Sequence, residues 1–246
     1  MTAKILTSEK FQNSQIKYIF SFMLLGSVVI LLVNQPDLGQ SILLIGSWVG
    51  TVFISGVSLI YILAIFLIFS VSLGSLLFFL PEKFGYIINR LIAFFDPGQG
   101  DKFQSSSALD AIKLGGLTGQ GMGEGILKDS VPEAHTDYVI AVISEEYGSL
   151  ATIIILTIFL YISFRIIKNC FNQDNQFIKI SLSGLATLLI FQTFIHAGVN
   201  TNLLPTTGMT LPFLSYGGSS LIGSSIISGI IINFTRKDSM RISKNG

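Results

Sequence analysis

Residues 39–80, GQSILLIGSWVGTVFISGVSLIYILAIFLIFSVSLGSLLFFL, run for 42 positions without one charged side chain. A single helix of that length would be about 60 Å long, roughly twice the ~30 Å hydrocarbon core of a bilayer. The stretch therefore reads as two membrane helices, breaking near Ser55-Gly56. Outward from it, further candidate spans fall at 18–34, 147–164, 180–199 and 216–235, each bounded by charge or by Asn, Pro and Gly. The expected fold is an all-α polytopic membrane protein with about six transmembrane helices, 1–246 forming one membrane domain. Composition agrees: half the residues are apolar, 12% are charged and the mean hydropathy is +0.68.

Charge placement sets the expected orientation, because Lys and Arg flanking short loops stay on the cytoplasmic side. Lys4, Lys10 and Lys17 precede the first span, Arg165, Lys168 and Lys179 flank the connection between the fourth and fifth, and Arg236, Lys237, Arg241 and Lys244 follow the last. Strict alternation puts all three groups on one side. The other side receives the turn at 34–38, the segment 81–146 and the stretch 200–215. Segment 81–146 carries ten Asp/Glu against five Lys/Arg, a formal charge of −5. It is expected to be a large extracytoplasmic loop. The overall charge of +1 is a sum of unlike sides and gives no support to nucleic-acid binding. Cys170 is the single cysteine, which excludes an internal disulfide and a Cys-based metal site.

A loop of this length generally has a task. Within it, 103–114 (FQSSSALDAIKL) reads as a short helix on the membrane face, and 115–125 (GGLTGQGMGEG) holds six glycines in eleven positions. Such a stretch can bring backbone N–H groups close to phosphate oxygens or simply make tight turns; the Walker spacing and a preceding strand are absent. Residues 131–146, VPEAHTDYVIAVISEE, then place Glu133, Asp137, Glu145 and Glu146 with His135 beside lipid-facing sequence. A helix is expected from Pro132, with Glu133 favourable at its positive end. On that geometry Glu133, Asp137 and Glu145 share one face and descend toward the bilayer, where ionisable groups pair or serve function. The alternative is an exposed acidic helix end. Like charges nearby raise the proton affinity of Asp137, moving it toward the range useful to a general base.

Two breaker-rich segments lie on the same expected side: 34–39 (NQPDLG) and 203–220 (LLPTTGMTLPFLSYGGSS). Irregular backbone at membrane depth is tolerated where it lines a cavity, so the second reads as a cavity wall. His196, in the fifth span, is either a proton relay or a helix-packing hydrogen-bond group.

Taken together, NQPDLG, FFDPG (94–98), PEAHTDYVIAVISEEYG (132–148) and LLPTTGMTLPFLSYGGSS resemble the shape, elongation, division and sporulation (SEDS) family of lipid II polymerases. The resemblance runs through most of 16–237 with the motifs in family order. Ala134, Gly121-Met122-Gly123-Glu124-Gly125 and Gly208-Met209-Thr210 are similar to the division branch, FtsW, more than to the elongation branch, RodA. Val131 and Tyr138 stand where Leu and Phe are usual. Family members have about ten spans, and this chain is expected to begin within what resembles the fourth.

The resemblance implies a peptidoglycan glycosyltransferase that polymerises lipid II during septal wall synthesis, multi-pass in the bacterial cytoplasmic membrane, partnered by a class B penicillin-binding transpeptidase and other division proteins. Asp137 matches the family's essential acid and is the expected catalytic base. Arg90 is the first choice to balance the leaving diphosphate, with Lys113 second; for each, an ordinary interfacial cation is the alternative. Glu133, His135, Thr136, Ser215, Tyr216 and Ser219 are carried over by motif as substrate-binding residues or cavity lining. No metal-ligand set is assigned, although a divalent cation, Mg or Mn, could serve beside the diphosphate. Two other classes suit the architecture: a transporter of the lipid-linked precursor, and a scaffold that only recruits a synthase. A transporter wants its ionisable site near the midplane, and the topology puts Asp137 at the outer face.

Overall fold

The computed structural model describes residues 1–9, 14–79, 81–95 and 103–236. Lys10, Asp96-Pro97-Gly98 of the FFDPG motif, Asp101, Lys102, Lys237, Arg241 and Lys244 lie outside the described residues. Those described form helices and turns with no strand among them: α1 (Thr2–Leu6), α2 (Ser14–Asn34), α3 (Leu38–Ile54), α4 (Leu59–Phe79), α5 (Pro81–Phe95), α6 (Phe103–Gly115), α7 (Val139–Phe171), α8 (Gln176–Asn200) and α9 (Gly218–Thr235).

The six expected spans appear as α2, α3, α4, α7, α8 and α9. Among the described residues α2, α7, α8 and α9 are long and apolar enough to cross a membrane; α3 is a shorter apolar helix of 17 residues and α4 an uncharged one of 21. The 39–80 stretch breaks between Ile54 and Leu59, at Gly56, whose φ of +94° suits glycine alone. Exposed side chains such as Leu31, Phe66, Ile154 and Ile222 form the apolar outer surface that a bilayer covers. The protein is a multi-pass membrane protein.

Helix α8 is the hub, packed against α3 on one side and α7 on the other. Lipid is as apolar as a leucine, so close backbone approach rather than water exclusion holds such helices together. At Gly50 any side chain would collide with Thr187, and at Gly184 with Thr51, so glycine on each helix admits the neighbour's threonine. Trp48 of α3 also donates from Nε1 to the buried Ser21 Oγ of α2 at 2.8 Å. A core cluster of Leu43, Ala108, Ala111, Val131, Ala134, Tyr138, Ala141, Ile195, Val199 and Met209 joins α3, α6, α7, α8 and the loop before α9 around the segment carrying Asp137.

The 81–146 region contains α5, an element the sequence reading did not name, whose apolar residues Phe84, Ile87, Ile88, Leu91 and Ile92 follow the 3.6-residue period of an amphipathic helix. Two expectations in the region are corrected. The helix expected from Pro132 starts instead at Val139, because Glu133 adopts φ +54° and its carbonyl collects the N–H groups of Thr136, Asp137 and Tyr138 at 3.0–3.3 Å, which closes a turn. Finally, Glu133, Asp137 and Glu145 do not form one helical column, since only Glu145 lies on a helix.

Candidate active site

Helix α7 is broken at Gly148, with φ +84° and ψ +166°, a conformation essentially confined to glycine. A break strands backbone groups of both half-helices. The glycine-rich stretch answers it: Gln120 and Gly121 donate to the carbonyls of Glu145 and Glu146 at 2.8 and 3.0 Å, while Ser149 and Leu150 donate to Gly116 and Leu117 at 2.9 and 3.3 Å. Side chains at Gly115, Gly119 or Gly148 would strike the opposing backbone. Of the two readings of 115–125, tight turns welded to α7 is the one the contacts carry.

Glu145 completes this strap. Fully buried, it accepts the N–H groups of Ile126 and Leu127 through Oε1, each at 2.7 Å. Glu146 pairs with Lys128 at 2.6 Å, both side chains mostly shielded, and Lys128 also donates to the Gly123 carbonyl at 3.1 Å. These two acids hold the strap rather than facing a substrate.

The turn 133–138 is fastened from the other end of the chain. The carbonyl of His135 accepts from the Tyr216 N–H at 2.8 Å, that of Thr136 from the Ser215 hydroxyl at 2.6 Å, and that of Asp137 from Asn200 Nδ2 at 3.0 Å. Ser215 Oγ accepts in turn from the Leu211 N–H at 2.8 Å. Asn200, fully buried, also donates to the His196 carbonyl at 2.9 Å and accepts from the Ala141 N–H at 3.1 Å. His196 Nδ1 lies 2.6 Å from the Met209 carbonyl, an acceptor only, which makes this nitrogen the donor. Its packing reading is therefore the one the contact carries.

The carboxylate of Asp137 lies against Gly208, whose φ is +71°; a Cβ built there would be 3.6 Å from Asp137 Oδ2. Burial is the main cause holding its proton affinity above the ordinary aspartate value. The negative charges of Glu133 and Asp37 add to this, and the Arg90 guanidinium opposes it. Asp37 sits in the α2–α3 turn, capping α3 by accepting the Gln40 N–H at 2.9 Å. The neighbouring Tyr138 phenol is pushed up to about 12, mainly by burial and then by the Asp137 charge, so it stays neutral.

The expected site residues divide by what their groups are doing. Arg90, on α5, has a buried Nη1 without a hydrogen-bond partner among the described residues, and it lines a crevice with Ser105, Asn202, Pro205 and Thr206. Its charge reaches Asp137. Lys113 is exposed on α6, pairs with Asp110 at 3.3 Å and is not among the charges acting on Asp137. Thr136 donates to the Glu133 carboxylate at 2.9 Å. The Ser215 hydroxyl is already spent twice on backbone. Tyr216 is 81% exposed and Ser219 is exposed in the first turn of α9. A groove of about 640 Å³ beside the turn is lined by His135, Val139, Phe213, Leu214, Tyr216 and Leu221. Sequence reasoning missed Asn200; its signal was a polar side chain at the C-terminal end of a span, one residue before the Thr201-Asn202 turn. Among the described residues no three His, Cys, Asp or Glu side chains converge as metal ligands.

Comparison with known proteins gives a consistent result. The family model described as "Cell cycle protein", FTSW_RODA_SPOVE, matches residues 1–240. A probable peptidoglycan glycosyltransferase FtsW of Caulobacter vibrioides is 35% identical over 217 residues, covering 88% of this chain and 55% of the relative. The corresponding protein of Legionella pneumophila is 33% identical over 238 residues, covering 92% and 59%. The chain thus spans little more than half the length of these curated relatives. Among solved structures, a chain of a peptidoglycan synthase complex superposes with a TM-score of 0.74 at 24% identity, covering 96% of this chain and 66% of that one. A mutant of the rod shape determining protein RodA from Thermus thermophilus gives 0.62 at 24% identity, covering 96% and 63%.

Proposed function

Since the chain belongs to the FTSW_RODA_SPOVE family of cell cycle proteins, we propose that it is the catalytic part of a peptidoglycan glycosyltransferase of the division branch, polymerising lipid II on the outer face of the bacterial cytoplasmic membrane. The observation that carries this reading is Asp137: a carboxylate with raised proton affinity, on a turn fixed by its backbone, within the field of Arg90.

The 4-hydroxyl of one glycan attacks the anomeric carbon of a second, diphosphate-linked glycan, with inversion. Asp137 takes the hydroxyl proton as the new glycosidic bond forms. The bond from the anomeric carbon to the diphosphate oxygen breaks, and the electron pair leaves with the lipid diphosphate. A single displacement needs one base, and this leaving group needs balancing charge more than a proton. Arg90, with a buried N–H group that no described residue accepts, supplies that charge. Glu133, His135 and Thr136 edge the site, and Tyr216 and Ser219 are assigned to substrate contacts beside the turn. Lys113, exposed at the loop surface, is assigned to outer contacts with the substrate. The partner is a class B penicillin-binding transpeptidase that crosslinks the emerging strand, and the place of action is the division septum.

The test is polymerisation of lipid II by this chain in membranes that hold its partners, comparing Asp137 with Asp137→Asn. Asn keeps the shape and cannot take the proton, so strand formation should fall by about 10²–10⁴-fold. Normal strands from the Asn variant would remove Asp137 from the mechanism.

A further inference from the structure

Three consecutive carbonyls, of His135, Thr136 and Asp137, each receive a donor from the C-terminal third of the chain. The donors come from two elements, Asn200 at the end of α8 and Ser215-Tyr216 in the loop before α9. The N–H groups of Thr136, Asp137 and Tyr138 converge meanwhile on one carbonyl, that of Glu133. The backbone around Asp137 is thus tied on both its donor and its acceptor sides. We infer that Asn200 and Ser215 are positioning residues, a carbonyl clamp that fixes where the Asp137 carboxylate points for the glycosyl transfer proposed above, on which this inference rests.

Two features separate a positioning clamp from ordinary packing. First, Asn200 and Ser215 reach 63 and 79 positions back along the chain to adjacent carbonyls, so the clamp sets the turn relative to α8 and not merely its own closure. Second, the loop that supplies Ser215 also supplies Gly208, the wall against the Asp137 carboxylate. One loop therefore grips the main chain of the turn and shapes the space of its side chain. Misplacing a reacting group by about 1 Å can cost on the order of 10²-fold in rate. Releasing either grip should do so without touching the substrate.

The groups facing Asp137 are Glu133 and Tyr138 of its own turn, Arg90 of α5 and Asp37 of the α2–α3 turn, while the His196 ring of α8 is engaged with Met209. Neither Asn200 nor Ser215 carries charge, so their removal changes none of these fields directly. It changes burial, the largest cause of the raised proton affinity. Unclamped, the carboxylate gains water and its midpoint falls.

The experiment uses the chain in membranes with its partners, with Asn200→Ala, Ser215→Ala, and Thr201→Ala as a neighbour whose hydroxyl only caps its own helix. Two readouts are taken. One is kcat and KM for lipid II polymerisation, where the clamp variants should lose about 10²-fold in kcat with KM within about two-fold. The other is labelling of Asp137 by a hydrophobic carbodiimide, which attacks protonated carboxyls, followed against pH by peptide mass. There the midpoint should move to lower pH in both clamp variants and stay in place in Thr201→Ala. If Asn200→Ala does not accumulate folded, Ser215→Ala, which removes a single hydroxyl, decides. A folded Ser215→Ala with wild-type kcat and an unmoved midpoint overturns the clamp. If the wild-type chain makes no Asp137-dependent strands, the polymerase reading fails and the labelling midpoint alone judges the clamp.

Discussion

Asn200 and Asp137 are joined by a hydrogen bond of 3.0 Å from a buried side-chain amide to a main-chain carbonyl, across 63 positions of sequence. The bond leaves the carboxylate of Asp137 unspent. For the proton acceptor proposed here the backbone has to be held by other groups, and α8 and the loop before α9 do the holding.

Glu145 should matter for stability rather than turnover. In Glu145→Ala the N–H groups of Ile126 and Leu127 lose their buried acceptor, each worth about 1–3 kcal/mol when left unmade. The thermal midpoint in detergent should drop clearly, and less so for Glu145→Gln, which keeps an acceptor oxygen. An unchanged midpoint for Glu145→Ala would mean that the strap has another anchor.

Gly148→Ala should be harsher than an alanine elsewhere in α7. It combines a conformation that costs an L-residue about 1–3 kcal/mol with a collision against the Leu117 carbonyl. Proteolytic cleavage within 115–125 should rise as the strap lifts. Equal resistance to protease in the variant would argue that the break in α7 does not depend on glycine.

The pH dependence of strand formation follows from the charges around Asp137. A base works only when ionised, so with Asp137 as the proposed base strand formation should be lost as pH falls through its folded-state midpoint, which lies above the ordinary aspartate value. Glu133 raises that midpoint and Arg90 lowers it. Glu133→Gln should therefore carry the acid limb of kcat to lower pH, and Arg90→Gln should carry it to higher pH while also reducing kcat. Limbs that move in the same direction in both variants would contradict the charge arrangement.

Tyr138→Phe should be neutral or stabilising by about 1 kcal/mol. The Tyr138 hydroxyl is buried with no hydrogen-bond partner among the described residues, so its removal strips a desolvated polar group and keeps the ring in the core. A marked loss of thermal stability in the Phe variant would reveal a partner for that hydroxyl.

The sequence by itself determined the helical membrane fold, the number of spans and the break inside 39–80, and it singled out the 203–220 segment; Asp137 and Arg90 it singled out chiefly through resemblance to the family. The fold features rest on a local quantity, uncharged length set against bilayer thickness, and the 203–220 segment on breaker residues close together in the chain. What only the tertiary structure decided is non-local. Pro132-Glu133 looks like a helix start, yet the Glu133 carbonyl gathers three N–H groups and delays α7 to Val139. The glycines at 115–125 could have cradled phosphate, and instead they serve a break in α7 about 30 positions away. Ser215 reads as cavity lining until its hydroxyl is found between Leu211 and Thr136. Asn200 carries no motif of its own, and its meaning exists only because folding places it under Asp137. Periodicity and hydropathy report which face of an element is buried; they do not report which distant backbone group will need a partner there.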